Sequence, residues 1–161
     1  AALPHTNDLD RLIRHLNERV FASARGERFI TFFAGLIDLR ASTLRFANAG
    51  HNDPLLHDGA RIIPLHDGSI ALGMMPNLPF LRIGEMPLPK EGTLLCYTDG
   101  LVEQEDAHGH AFEDEPLIRA LSGFSGAGPD GLISALKAAF EAHRAAEPYL
   151  DDIAVLCCRF R

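Results

Sequence analysis

Glu91-Gly-Thr-Leu-Leu-Cys-Tyr-Thr-Asp-Gly-Leu-Val-Glu103 is the stretch on which the reading of this chain turns. Residues 93–97 form a short apolar run rich in strand formers, bounded by Glu91-Gly92 before and Asp99-Gly100 after. The pattern predicts a buried strand running into a tight turn. Such a strand carries the Asp99 carboxylate to the end of a rigid sheet, where it is placed to ligate a hard divalent cation. Asp-Gly is equally an ordinary turn dipeptide, because both residues tolerate positive φ. The chain has three more, at Asp58-Gly59, Asp67-Gly68 and Asp130-Gly131. A second site is needed to separate the two readings.

That second site is Asp151-Asp152, just ahead of the apolar run 153–158, which is expected to be a buried strand. The plain reading is that both carboxylates cap or solvate the strand end. The functional reading pairs them with Asp99. If the two strands are antiparallel neighbours, the end of one and the start of the other lie on the same side of the sheet. Carboxylates gathered there repel one another unless a cation neutralises them.

The rest of the chain supplies a scaffold. Residues 6–22 read as a helix capped by Thr6 or Asn7, with Leu9, Leu12, Ile13, Leu16, Val20 and Phe21 on one face. The aromatic and β-branched run 29–38 predicts a central strand, hairpinned to a second at 43–48. Ala49-Gly50-His51-Asn52 breaks that strand and leaves His51 and Asn52 at the sheet end. Residues 54–56 and 61–65 form another hairpin, its second arm an edge strand because it carries Pro64. The turn-rich 69–79 segment is expected to cross the surface at Leu72-Gly73-Met74-Met75-Pro76, before a strand over 80–88 interrupted by Gly84. Residues 104–109 read as a polar loop, 113–121 as a short helix with Pro116 in its first turn, 122–128 as flexible, and 130–145 as a helix. One helix, a block of antiparallel strands, two helices and a last strand make an α+β fold.

Composition bounds the function. The chain has 161 residues, enough for one domain, and a formal net charge of −7 with no Lys/Arg cluster, which argues against a nucleic-acid partner. No apolar run approaches a membrane-spanning length, and the first residues show no signal-peptide pattern, so a cytoplasmic location is the default. Cys96, Cys157 and Cys158 lack metal-site spacing and read as core thiols.

Phe29-Ile-Thr-Phe-Phe, Phe46-Ala-Asn-Ala-Gly-His-Asn52, Leu72-Gly73, Leu94-Leu-Cys-Tyr-Thr-Asp-Gly-Leu-Val-Glu103, Phe112 with Leu117, and Asp151-Asp152-Ile153 occur in that order. The series resembles a bacterial sporulation-protein-E-like (RsbU-like) serine/threonine phosphatase domain, a branch of the metal-dependent type 2C phosphatases. The resemblance runs from the first helix to Phe160. It implies an α-β-β-α sandwich of two antiparallel sheets flanked by helices, with two Mn²⁺ or Mg²⁺ ions at one end. A water bridging the ions would attack a phosphoserine or phosphothreonine. Carried over by position, Asp99 is a metal ligand, Gly100 follows it in the turn at the metal site, and Asp151 matches the other ligand. Asp152 falls where relatives carry Asn or Asp and is read as an outer residue. His51, whose position often holds Asp in the wider family, and Asn52 are read as shaping the site.

Two departures from the family stand out. The earlier Gly-Asp-x-x-Gly-His-Gly segment, whose Asp bridges both metals, does not occur in this chain, so residues 1–161 are expected to be the C-terminal portion of a longer single domain, inactive or nearly so alone. Ala154 stands where the family often has Thr. The resemblance further implies a phosphorylated anti-sigma-factor antagonist as substrate, and a preceding sensor or receiver domain. A non-catalytic binding module on the same scaffold is the alternative, favoured by the missing segment. A third reading is self-association into a homodimer through an exposed sheet edge.

Overall fold

The computed structural model describes residues 6–123 and 128–160. The middle of the stretch read as flexible, residues 124–127, lies outside the described residues, as do the capping side chains of Thr6 and Asn7. The chain is α+β. It divides into two compact units, Ala1–Asp53 with Leu65–Leu88, and Pro54–Pro64 with Pro89–Arg161.

The first unit opens with helix α1 (Thr6–Ala24), which ends at Arg25 and Gly26, both at positive φ. Strands β1 (Phe32–Asp38) and β2 (Thr43–Ala49) follow as the expected antiparallel hairpin, paired from Phe32↔Ala49 to Asp38↔Thr43. The turn between them closes on the Asp38 carboxylate, which accepts from the amides of Arg40 and Ala41 at 2.9 Å each. β2 is the hub of this sheet. It pairs in parallel with β5 (Gly68–Ser69) and antiparallel with β6 (Gly84–Pro87). Leu9 and Ile13 of α1 pack with Ala47, Ala49, Leu72 and Leu78 in its core.

Several expectations for this unit are corrected. β1 is an edge strand among the described residues, and it begins at Phe32 rather than residue 29; Ile30 makes only an isolated bridge to Leu72. Aromatic and β-branched content reports a half-buried pleated surface, not a place in the strand order. The strand expected over 80–88 shrinks to β6. Gly84 begins it rather than interrupting it, because the Phe46 ring covers that backbone: a Cβ there would lie 2.3 Å from Phe46 Cζ. Leu72 is buried rather than crossing the surface, although Met74 and Met75 after it are exposed. Leu12, expected on the apolar face, is 46% exposed, while Asn17 is 1% exposed. Asn17 donates to the carbonyls of Met75 (3.1 Å) and Pro76 (3.2 Å), and accepts from the Gly73 amide at 2.9 Å. Asn17→Ala leaves three backbone groups unpaired and should lower the stability of the chain by about 2–3 kcal/mol, read as a shift in the urea midpoint.

The second unit carries the sheet order β4-β3-β7-β8, antiparallel throughout, from β3 (Leu55–His57), β4 (Ile62–Pro64), β7 (Gly92–Tyr97) and β8 (Val155–Phe160). β4, with Pro64, is an edge strand as its sequence indicates. Helices α3 (Glu115–Ser122) and α4 (Gly128–Arg144) place Leu117, Leu121, Leu132, Leu136 and Phe140 in one core with Leu95 and Tyr97. β8 starts two residues later than expected and is the other edge, half-buried, with Leu156 59% exposed. The three cysteines are accordingly half-buried free thiols, not core residues. Burial still pushes the Cys96 thiol up to about 11, helped by the nearby Cys158 and Cys157. No helix among the described residues is long and apolar enough to cross a membrane.

Candidate metal centre

β7 and β8 are antiparallel neighbours, and their last aligned pair is Tyr97↔Val155. The end of one and the beginning of the other therefore lie at one end of the sheet, bringing Asp99 and Asp151-Asp152 together. The ladder continues one step past the strands: the Thr98 amide donates to Ala154 O at 3.1 Å. The Thr98 hydroxyl then takes over, accepting from the Ala154 amide at 2.9 Å and donating to Asp152 O at 3.1 Å. The hydroxyl at this corner is thus the one that Thr98 supplies to the backbone of Asp152 and Ala154. Thr98 was not singled out in the sequence. Its signal is a β-branched hydroxyl residue at the last extended position before Asp-Gly.

Asp99-Gly100 is not the hairpin-like turn expected. It opens a four-residue helix, α2 (Asp99–Val102), with extended Thr98 as N-cap. Leu101 and Val102 join the core and set this bend. Gly100 is required by close approach rather than by positive φ. A Cβ there would lie 2.6 Å from Asp152 O and 3.2 Å from Asp151 Cβ. Gly100→Ala must push the 151–152 backbone away, and should cost about 1–3 kcal/mol of stability in urea unfolding. Gly128→Ala, where an added Cβ meets nothing within 4 Å, is the matched control.

Asp99, Asp151 and Asp152 are all exposed. The Gly100 amide donates to Asp99 Oδ1 at 3.0 Å, and the Asp152 amide donates to Asp151 Oδ1 at 2.7 Å. Each of these two carboxylates is thereby oriented by the next residue's backbone. Among the described residues none of the three makes an ion pair with a Lys, Arg or His. Hard, exposed carboxylate oxygens without a counter-charge suit Mg²⁺ or Mn²⁺, which accept one or two protein carboxylates and keep several waters. No group of three or more His, Cys, Asp or Glu side chains able to hold an ion is gathered among the described residues. Among the described residues, then, Asp99 and Asp151 offer carboxylate oxygens of the kind that suits a largely hydrated ion, and no all-protein cage is assembled.

His51 and Asn52 belong to the first unit, where both are half-buried. Buried Asn48 shapes their turn. Its Nδ2 donates to His51 O at 2.8 Å and to Asp53 Oδ1 at 2.9 Å, and its Oδ1 accepts from the His51 amide at 2.8 Å. His51 Nδ1 lies 3.3 Å from Thr31 Oγ1. Gly50 is at φ +66, and a Cβ there would meet the Ala71 amide nitrogen at 2.9 Å. Asn48 is the organising residue that periodicity passed over, because a buried polar residue on a strand leaves no apolar signal.

Solved structures share the fold. The structure of the SiaA-PP2C domain of Pseudomonas aeruginosa is 25% identical, with a TM-score of 0.74 over 89% of this chain and 58% of its own. The RsbU and RsbW domains of Rv1364c from Mycobacterium tuberculosis are 27% identical, with a TM-score of 0.68 over 89% of this chain and 40% of theirs. Protein IcfG of Synechocystis sp. is 30% identical over 95 residues, which are 58% of this chain and 15% of that protein. The chain thus spans a minor part of IcfG and under two thirds of the SiaA-PP2C chain. The sequence profile of Stage II sporulation protein E (SpoIIE) matches residues 1–161. By that match over its whole length, the chain belongs to the SpoIIE family.

Proposed function

We propose that this chain is the C-terminal portion of a single metal-dependent phosphatase domain that hydrolyses phosphoserine or phosphothreonine on a partner protein. The observation that carries the reading is the meeting of Asp99 and Asp151 at the shared end of β7 and β8, closed by Thr98 and Gly100. Asp99 and Asp151 would hold the ion, with Gly100 keeping their backbones in contact and Asp152 oriented at the rim. Mn²⁺ or Mg²⁺, when bound, supplies Lewis acidity toward a phosphoryl group and makes water a nucleophile near neutral pH. The chain's own part is positional: two carboxylates at a rigid sheet end, with no Lys, Arg or His ion-paired to them among the described residues. His51 and Asn52 lie in the other compact unit, on a turn fixed by Asn48. Asp99 and Asp151 would serve one ion, so residues 1–161 alone would turn over substrate at background, and two ions would belong to the complete domain. Membership of the family supports a phosphorylated anti-sigma-factor antagonist as substrate, a sensor or receiver domain on the same polypeptide, and a cytoplasmic setting.

The absence of a three-ligand group among the described residues favours one other reading, a regulatory module that binds the partner without chemistry. One experiment decides. Phosphate release from a phosphoserine protein is measured for residues 1–161 and for the polypeptide extended upstream, each with Mn²⁺ and with EDTA, beside calorimetric Mn²⁺ titration. The phosphatase reading expects Mn²⁺-dependent turnover by the extended chain. An extended chain that binds no Mn²⁺ and releases no phosphate leaves the binding module.

A further inference from the structure

Resting on that reading of Asp99 and Asp151, we propose that Gln104 is a positioning residue for the site, holding the segment that leads into Asp151 against the end of α2. Gln104 follows α2 by two residues and is 1% exposed. Its Nε2 donates to Pro148 O and to Glu105 O, both at 3.1 Å, and its Oε1 accepts from the Leu150 amide at 3.3 Å. A buried primary amide is costly unless its donors and acceptor are paired, and an apolar side chain of the same size would fill the space without that demand. The hydrogen bonds are what glutamine adds at this position, and two of the three reach the segment just before Asp151.

The dipeptide Asp151-Asp152 is therefore held from both sides by residues that flank Asp99 on one short piece of chain. Gln104 holds Pro148 and Leu150 upstream of it, and Thr98 holds Asp152 and Ala154 downstream. Gln104 is itself anchored. Its carbonyl accepts from the Phe112 amide at 2.9 Å and from His143 Nε2, on α4, at 3.2 Å. The neighbouring Tyr149 is fixed as well, its hydroxyl donating to Glu141 Oε1 at 2.8 Å and its ring lying 4.3 Å beneath the Arg144 guanidinium carbon. Leu150, by contrast, has an exposed side chain. The Gln104 amide thus carries the register of Asp151 at a point where side-chain burial does not.

The test uses residues 1–161 without metal and amide hydrogen exchange by NMR. Gln104→Leu should speed exchange at Leu150 and Asp152 by about tenfold while the amides of residues 94–96 keep their protection. Gln104→Glu adds a pH signature and guards against misfolding of the leucine variant. Protonated, the new carboxyl accepts from Leu150 and donates to Pro148, so protection should approach wild type at about pH 5 and fall by about pH 8, as the buried group ionises. Exchange that rises equally along β7, or at neither amide, overturns the proposal. Mn²⁺ titration of the upstream-extended chain is the second arm, with an expected loss of about tenfold in affinity for Gln104→Leu. Wild-type binding with no loss in the variant also overturns it. No Mn²⁺ binding by the wild type removes the phosphatase reading, and the exchange data still decide whether Gln104 holds the segment.

Discussion

Asp99→Asn is expected to weaken Mn²⁺ binding by at least about a hundredfold while leaving the urea midpoint of the metal-free chain unchanged or slightly raised. The two signs have one cause. Asp99, Asp151 and Asp152 are like charges at one sheet end, with no Lys, Arg or His ion-paired to them among the described residues. Removing one charge relieves repulsion in the free protein and takes away one of two ligands from the ion. Asparagine keeps a carbonyl oxygen that can accept from the Gly100 amide, so the local turn survives. Calorimetry and urea unfolding read the two effects separately. A variant that binds Mn²⁺ as the wild type does would remove Asp99 from the site. One that also loses several kcal/mol of stability would assign the carboxylate a structural part instead.

Gly68→Ala should be severely destabilising, by about 4 kcal/mol or more. A Cβ at Gly68 would lie 1.7 Å from Asn48 O, 2.4 Å from Asn48 C and 2.5 Å from Asn48 N. These are backbone atoms of the central strand and cannot swing aside. Relief requires giving up the Asn48↔Gly68 parallel pairing and the bond from the Asn48 amide to Asp67 O at 2.8 Å. The same shift moves the Asn48 side chain, which holds the His51 turn. Urea unfolding of Gly68→Ala beside Gly128→Ala measures the difference. A midpoint within error of the wild type would show that β5 is not held against β2 as described.

What was legible in the chain follows the range of the forces involved. The β1–β2 and β3–β4 hairpins were readable because a short connection between two strand-forming runs leaves few other pairings. α1, α3 and α4 were readable because the 3.6-residue period puts their apolar residues on one stripe. The meeting of Asp99 with Asp151 followed from a single condition, antiparallel neighbours, which β7 and β8 fulfil. The buried polar residues were not readable. Asn17, Asn48 and Gln104 each sit where a periodic pattern calls for an apolar side chain or a loop, and each is explained by hydrogen bonds that reach as far as 59 positions along the chain. Strand order escaped too: β1 looked central and β8 looked buried in composition, and both are edges.

By itself the sequence determined the α+β class, the family, and the two carboxylate segments, because motif residues and hydrophobic periods are properties of neighbouring positions. Tertiary structure decided that Asp-Gly at residue 99 starts a helix, since Leu101 and Val102 gain burial only if the chain turns there. It decided which glycines are indispensable, since close approach to Asp152, Asn48 or Phe46 is made by residues distant in sequence. It also decided how Asp151 is aimed, because the groups that hold it, Thr98 and Gln104, act across a gap of more than 40 residues that only folding closes.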